Sequence, residues 1–276
     1  MLKNLIILIC FTVLLSGCSE KDKKELIVSP VDEREEVQKI YNEAVIALKK
    51  GDAYFASKKF KEAEGFYPSS DWAAKAALMS AFALYSANFY SDSIFNLERY
   101  IKQYPFDQNI PYAHYLIGIC YYEQILDEKK DLRPTLKAKE KFEYIVEKFP
   151  NTDYALDVRF KLDLVTDLLA AKEMYVARHY LKSEKWIPAI NRFKIVVENY
   201  DRTIFVEEAL HRLVEIYYKI GLFEEAKKIA SILGYNYGSG EWYEKSYKVF
   251  NKNYKPIKIE KEKDGLILKK IKGLFE

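Results

Sequence analysis

A small residue recurs along this chain at a fixed interval, and each copy is followed twelve residues later by another. Ala44 is followed by Ala56, Ala81 by Ser93, Ala177 by Ala189, and Val214 by Ala226. Four residues after the second small residue stand Phe60, Leu97, Phe193 and Ala230. In the middle of the chain Gly118 is followed by Ala138 and Phe142, but twenty residues separate the small pair; an insertion of eight in the charged run DEKKDLRP explains the difference. Pro68, Pro105 and Pro150 each stand twelve residues after the second small residue, with Asp201 in the fourth place. The spacing has a physical reading. Two helices approach closely where both carry a small side chain, a larger apolar group fills the space between pairs, and proline stops the second helix. Gly51 and Gly221 fall seven residues after the first small residue, where the first helix has to turn.

The pattern resembles the tetratricopeptide repeat (TPR). The match is closest in IGICY (117–121), AKEKF (138–142) and Pro150. Repeats then start near residues 37, 74, 111, 170 and 207, and three of the four intervals are 37. The expected fold is all-α: a right-handed α-solenoid of about five TPR helix pairs. The long interval contains residues 152–182, which hold neither Gly nor Pro and carry Leu162, Val165, Leu168 and Leu169 at helical spacing. The first helix of repeat four is therefore expected to be lengthened by about four turns.

The concave surface of such a solenoid is built from the first helix of each unit. Its inward positions are Tyr41 in repeat one, Phe82 and Tyr85 in repeat two, and Tyr112, Tyr115 and Tyr122 in repeat three. Repeat five offers Glu208, His211, Glu215 and Tyr218 instead. The first set reads as a peptide-binding groove, since tyrosine has an apolar body and a polar tip. The same rings could equally pack against a neighbouring helix.

The N-terminus carries a different signal. Leu5–Leu15 holds ten apolar residues in eleven, too few to span a bilayer, and Ser16-Gly17-Cys18 follows. LSGC resembles the lipobox of bacterial lipoproteins. The resemblance implies that residues 1–17 are a lipoprotein signal peptide and that Cys18 becomes an acylated N-terminus, followed by a linker to residue 36. N-acyl and S-diacylglycerol chains on Cys18 would be the only covalent additions. Ser19 after the cysteine leans towards the outer membrane in this class.

Chemistry has little visible machinery. There are three histidines and three cysteines. H-E-x-x-H, G-x-S-x-G and a phosphate-cradling loop are all missing from the sequence. Glu208-x-x-His211 has the spacing of a di-iron ligand pair but lacks the second pair such a site needs. No catalytic residue, metal or cofactor is expected. The formal net charge of +3 does not imply nucleic acid. The positive charge sits at the end, where residues 244–276 carry ten Lys and five acidic residues. GYNYGSGEWY (234–243) reads as a loop. GLILKKIKGLFE (265–276) reads either as an amphipathic helix for a partner or anionic lipid, or as a partly disordered basic tail.

With lipobox and repeats together, the chain resembles the BamD family, TPR lipoproteins of the outer-membrane β-barrel assembly machinery (BAM). YNEAVIALKKG (41–51), NIPYAHYLIG (109–118), FPNTDY (149–154) and KWIPAINRF (185–193) carry the likeness, which covers roughly residues 38–233. It implies a lipid-anchored protein on the periplasmic face of the outer membrane, with other BAM lipoproteins as companions. It implies that repeats 4–5 (152–233) bind a periplasmic POTRA domain of BamA, with Arg192 at the contact. It also implies that repeats 1–3 (37–151) receive unfolded β-barrel substrates. Residues 234–276 are a basic C-terminal extension outside the likeness. Another TPR lipoprotein scaffold, serving pilus assembly or cell-wall and division coordination, is the alternative that the residues leave open.

Overall fold

A computed structural model of the chain describes residues 30–68 and 70–251. The lipobox with Cys18 and the segment 252–276 lie outside the described residues. Among those described, every element is an α-helix. Two compact units divide between Phe89 and Tyr90, so the two helices of the second predicted repeat belong to different units.

The first unit holds α1 (Pro30–Lys49), α2 (Ala53–Phe66) and α3 (Asp71–Ser86). Helix α2 packs on both of the others. Its core contains Ala44 and Ala56, with Phe60 fully buried beside them, as the spacing requires. Six alanines of α3 are buried and allow the close approach of α2. A buried polar pair at that contact satisfies itself: Ser57 Oγ lies 2.9 Å from Ser80 Oγ, and the Ser80 hydroxyl also donates to the Ser57 carbonyl at 3.1 Å.

The second unit holds α4 (Tyr90–Gln103), α5 (Ile110–Tyr122), α6 (Arg133–Lys148), α7 (Asp153–Lys182), α8 (Trp186–Asn199), α9 (Val206–Lys219), α10 (Phe223–Tyr237) and α11 (Glu241–Phe250). Each helix packs on the next from α4 to α10, the packing of TPR helix pairs. Gly118 sits against the fully buried ring of Phe142, and a Cβ at Gly118 would come 2.6 Å from Phe142 Cε1. Helix α7 runs for 30 residues, about 45 Å. Thr152 caps it, accepting from the Ala155 N–H at 3.2 Å while its hydroxyl donates to the Phe149 carbonyl at 2.8 Å. That is the local logic of FPNTDY. Pro68, Pro105 and Pro150 each stand two residues beyond the ends of α2, α4 and α6.

Four first helices end in the same way. The residue seven after the first small residue has positive φ in every case: Gly51 at 86°, Asn88 at 64°, Glu184 at 55° and Gly221 at 85°. The N–H of the next residue then reaches back five places, as in Asp52 to Ala47 O and Lys185 to Tyr180 O, each at 3.0 Å. This is the Schellman ending, and glycine suits its left-handed residue best. Repeat three lacks it because the inserted loop replaces the turn. Glu184 carries the steric cost of a side chain in that region, so Glu184→Gly is expected to raise the unfolding free energy by about 1 kcal/mol in urea titrations.

One reading of the C-terminal part is corrected. GYNYGSGEWY is not one loop: Tyr235 and Tyr237 belong to α10, Trp242 and Tyr243 to α11, and only Gly238-Ser239-Gly240 connects them. Helix α11 also packs on α9 and covers the groove face of repeat five. Glycine spacing suggested a loop, but the aromatic side chains beyond it found an apolar surface to cover.

Candidate functional site

The second unit brings three of the predicted groove residues into one face. Tyr112, Tyr115 and Tyr122 line α5, spaced so that all point to the same side. The long helix α7 adds Tyr154, whose ring lies 5.6 Å from Tyr112 and 5.1 Å from Tyr115. A charged pair sits in the middle of this strip. The Tyr115 hydroxyl donates to Asp157 Oδ2 at 2.9 Å and Lys161 Nζ donates to Oδ1 at 2.8 Å. Burial alone would raise the Asp157 carboxyl, but the two donors outweigh it and hold it below its ordinary value. Lys161 also lies 5.8 Å over the Tyr122 ring.

Beyond Tyr122 the strip opens into a cleft of about 340 Å³, walled by Ile125 and Leu126, just ahead of the inserted run, and by Leu164, Val165 and Leu168 of α7. Leu126 is 74% exposed and Leu164 is 58% exposed. Two large apolar groups this open, beside four tyrosines, form a surface suited to an apolar peptide. The α7 half of this surface was not predicted. Its signal was present in the i, i+4, i+7 spacing of Asp157, Lys161 and Leu164, which flanks the buried stripe of Val158, Val165 and Leu169.

The predicted residues of the first unit stand differently. Tyr41 is 7% exposed, with its ring edge-on to Phe60 at 5.0 Å and to Trp72 at 5.1 Å. It is part of the core that joins α1, α2 and α3. Phe82 and Tyr85 are half-buried neighbours on α3, their rings 6.1 Å apart.

Residues 33–232 match the family model YfiO, described as an outer membrane lipoprotein. The outer membrane protein assembly factor BamD of Rickettsia prowazekii is 40% identical over 91% of this chain and 98% of its own length. This chain belongs to the BamD family. The BamD of Caulobacter vibrioides is 39% identical over 91% of the chain and 81% of its own length, and that of Xylella fastidiosa is 27% identical over 86% and 83%.

The segment that carries the BamD likeness near Arg192 runs from the α7–α8 turn into α8. Arg192 Nη1 donates to Glu173 Oε2 of α7 at 2.9 Å, with its side chain 42% exposed. It therefore ties α8 to the long helix. At the start of α8, Trp186 carries Lys219 Nζ 4.5 Å over its ring, above a cleft of about 300 Å³ that Leu181, Glu215 and Ile216 also line. Ile187 is exposed at the start of α8, and Leu222 and Phe223 are exposed where α9 turns into α10.

Electrostatics fix the long helix against α9. Arg178 forms a bidentate pair with Glu208, whose side chain is 12% exposed. Arg212 lies 3.5 Å from Glu208 and donates to Glu215 Oε2 at 2.6 Å, and His211 Nε2 lies 3.4 Å from Glu215 Oε1. Burial alone would raise the Glu215 carboxyl; His211 and Arg212 outweigh it and hold it at about 2. The Glu215 bonds thus add stability above its unfolded value near 4.5 and lose it as pH falls towards 2. Because Glu215 is partly solvated, the loss is expected to be about 1–2 kcal/mol between about pH 5 and pH 2, and shallower in Glu215→Gln, as read by urea unfolding at each pH.

His211 serves this network. Its Nδ1 meets Ser246 Oγ at 2.8 Å in a buried contact. Among the described residues no group of three or more His, Cys, Asp or Glu could hold an ion. No described helix is long and apolar enough to cross a membrane. Cys120 is buried, and burial pushes its thiol up to about 11, the behaviour of a small core residue.

Proposed function

We propose that this chain is a non-catalytic outer-membrane protein assembly factor. Membership of the BamD family carries the reading, and the aromatic strip of α5 and α7 supplies the surface it needs. The chain is anchored through acylated Cys18 to the periplasmic face of the outer membrane. Its C-terminal repeats hold a POTRA domain of BamA at the α7–α8 and α9–α10 turns, among the other BAM lipoproteins. Arg192 reaches the partner in addition to Glu173, since a guanidinium carries five N–H donors in a rigid fork. Unfolded β-barrel proteins are received on the strip that contains Tyr112, Tyr115 and Tyr122, with Phe82 and Tyr85 offering a second aromatic surface on the first unit.

The reading is tested by crosslinking the native protein in its own envelope and identifying what it holds. A BamA-like barrel linked to residues 185–233 is the expected main product. Pilus or cell-wall proteins in its place would leave only a lipid-anchored scaffold. On the strip, Tyr112→Ala with Tyr115→Ala is expected to lower crosslinking to a C-terminal barrel peptide by roughly tenfold, because buried tyrosines dominate such contacts. The helical circular dichroism signal should persist. Unchanged crosslinking would remove the strip from client binding.

A further inference from the structure

Helix α11 shows what the groove face of repeat five accepts. The predicted inward positions of α9 are Glu208, His211, Glu215 and Tyr218, and α11 lies across them. Its Trp242, Ser246 and Phe250 stand at i, i+4 and i+8, on one helical face. The Trp242 ring packs 5.2 Å from His211, Ser246 Oγ meets His211 Nδ1 at 2.8 Å, and Phe250 stands edge-on to Tyr218 at 5.6 Å. Two cations bracket the indole, Arg212 at 5.4 Å and Lys245 at 4.0 Å. Serine is the small residue that lets the helix sit close, the same device that joins the helices within each repeat.

The hold is slight for what it covers. Helix α11 has ten residues, and Ser246 alone of them is fully buried. A free helix of that length is marginal in water. Gly238-Ser239-Gly240 attaches it, a link with little stiffness. Short elements with few buried apolar contacts are those that open locally while the rest of a protein stays folded.

We propose that the groove face of repeat five is a helix-docking site, with α11 as its resident and displaceable occupant. The partner it fits is an amphipathic helix that presents a large aromatic, a small residue and a second large aromatic at i, i+4 and i+8, with a lysine beside the first. The tether keeps α11 at an effective concentration in the millimolar range, so such a partner succeeds when it is itself held nearby. The inference uses only contacts within the second unit and stands apart from which clients or BAM components the chain meets.

Two measurements on the full chain test it. Amide exchange followed by mass spectrometry should show residues 241–250 exchanging at least ~100-fold faster than residues 209–217. Exchange of both segments in step would overturn the proposal and make α11 a permanent cap. Separately, a fluorescein-labelled peptide of residues 239–251 is titrated into the unsubstituted chain and into Trp242→Ala/Phe250→Ala. The weakened resident should let the peptide bind at least about tenfold tighter, and adding Tyr218→Ala should reduce that gain. No binding to a double variant that keeps its helical spectrum, or equal binding to both chains, would also overturn the proposal. Should the double variant fail to fold, the exchange result on the unsubstituted chain decides.

Discussion

Phe142→Ala is expected to destabilise the second unit by about 3–5 kcal/mol, the usual cost of emptying a fully buried phenylalanine site. The size depends on Gly118. The Phe142 ring fills the hollow left by the absent side chain. Gly118→Ala in the unsubstituted chain should also destabilise, by about 1–3 kcal/mol, because its Cβ would come 2.6 Å from the ring. In the Phe142→Ala background that clash is gone, and the new methyl occupies part of the cavity. The second substitution should then be close to neutral, giving a coupling of about 2 kcal/mol in a double-mutant cycle by chemical denaturation. Additive effects would show that the two residues do not share one space. The functional consequence is direct. Tyr122 packs on Phe142 at 5.9 Å, so the end of the aromatic strip nearest the cleft rests on this pair.

The same contact explains why so much of the fold was legible. A TPR helix pair needs its small residues at the crossing point, so Ala44 with Ala56, Gly118 with Ala138 and Ala177 with Ala189 had to appear in the sequence. The absence of Gly and Pro over 152–182 likewise announced α7. Other features left weaker marks. Gly51 and Gly221 announced the left-handed turns, whereas Asn88 and Glu184 occupy the same conformation behind ordinary side chains. Helix α11 was hidden because Gly238 and Gly240 dominate its start and its aromatics alternate with charges. Inward-pointing positions gave the direction of Tyr41 but not its depth: Trp72, at the start of α3, covers it. Nor does any sequence pattern state that Glu173 would meet Arg192, since the two are joined only by the angle at which α8 returns along α7.

That return also depends on charges between α7 and α9, and breaking them is the second large effect expected. Arg178→Ala removes the bidentate donor to Glu208 and leaves a carboxylate that is 12% exposed with Arg212 alone at 3.5 Å. Burial pushes the Glu208 carboxyl up, and at present Arg178 and then Arg212 more than offset this and hold it below its ordinary value. Without Arg178 the balance turns towards burial. The expected loss is about 2–4 kcal/mol near neutral pH, on the scale for a buried ion pair that loses one partner. The sign of its pH dependence follows. In the unsubstituted chain the depressed carboxyl gives stability above its unfolded value and loses it as pH falls. In Arg178→Ala, protonation relieves an uncompensated charge, so the gap between the two chains should narrow as pH falls from 7 to about 4. Arg178→Ala/Glu208→Ala should recover part of the loss, because removing both charges leaves no buried ion without a partner. A gap that stays constant with pH would assign the destabilisation to lost packing of the arginine stem, not to the carboxylate. The pair joins α7, which carries half of the aromatic strip, to α9, which carries the groove that α11 fills. Its loss should therefore loosen both surfaces at once, and raised amide exchange in residues 155–168 and 241–250 together would show it.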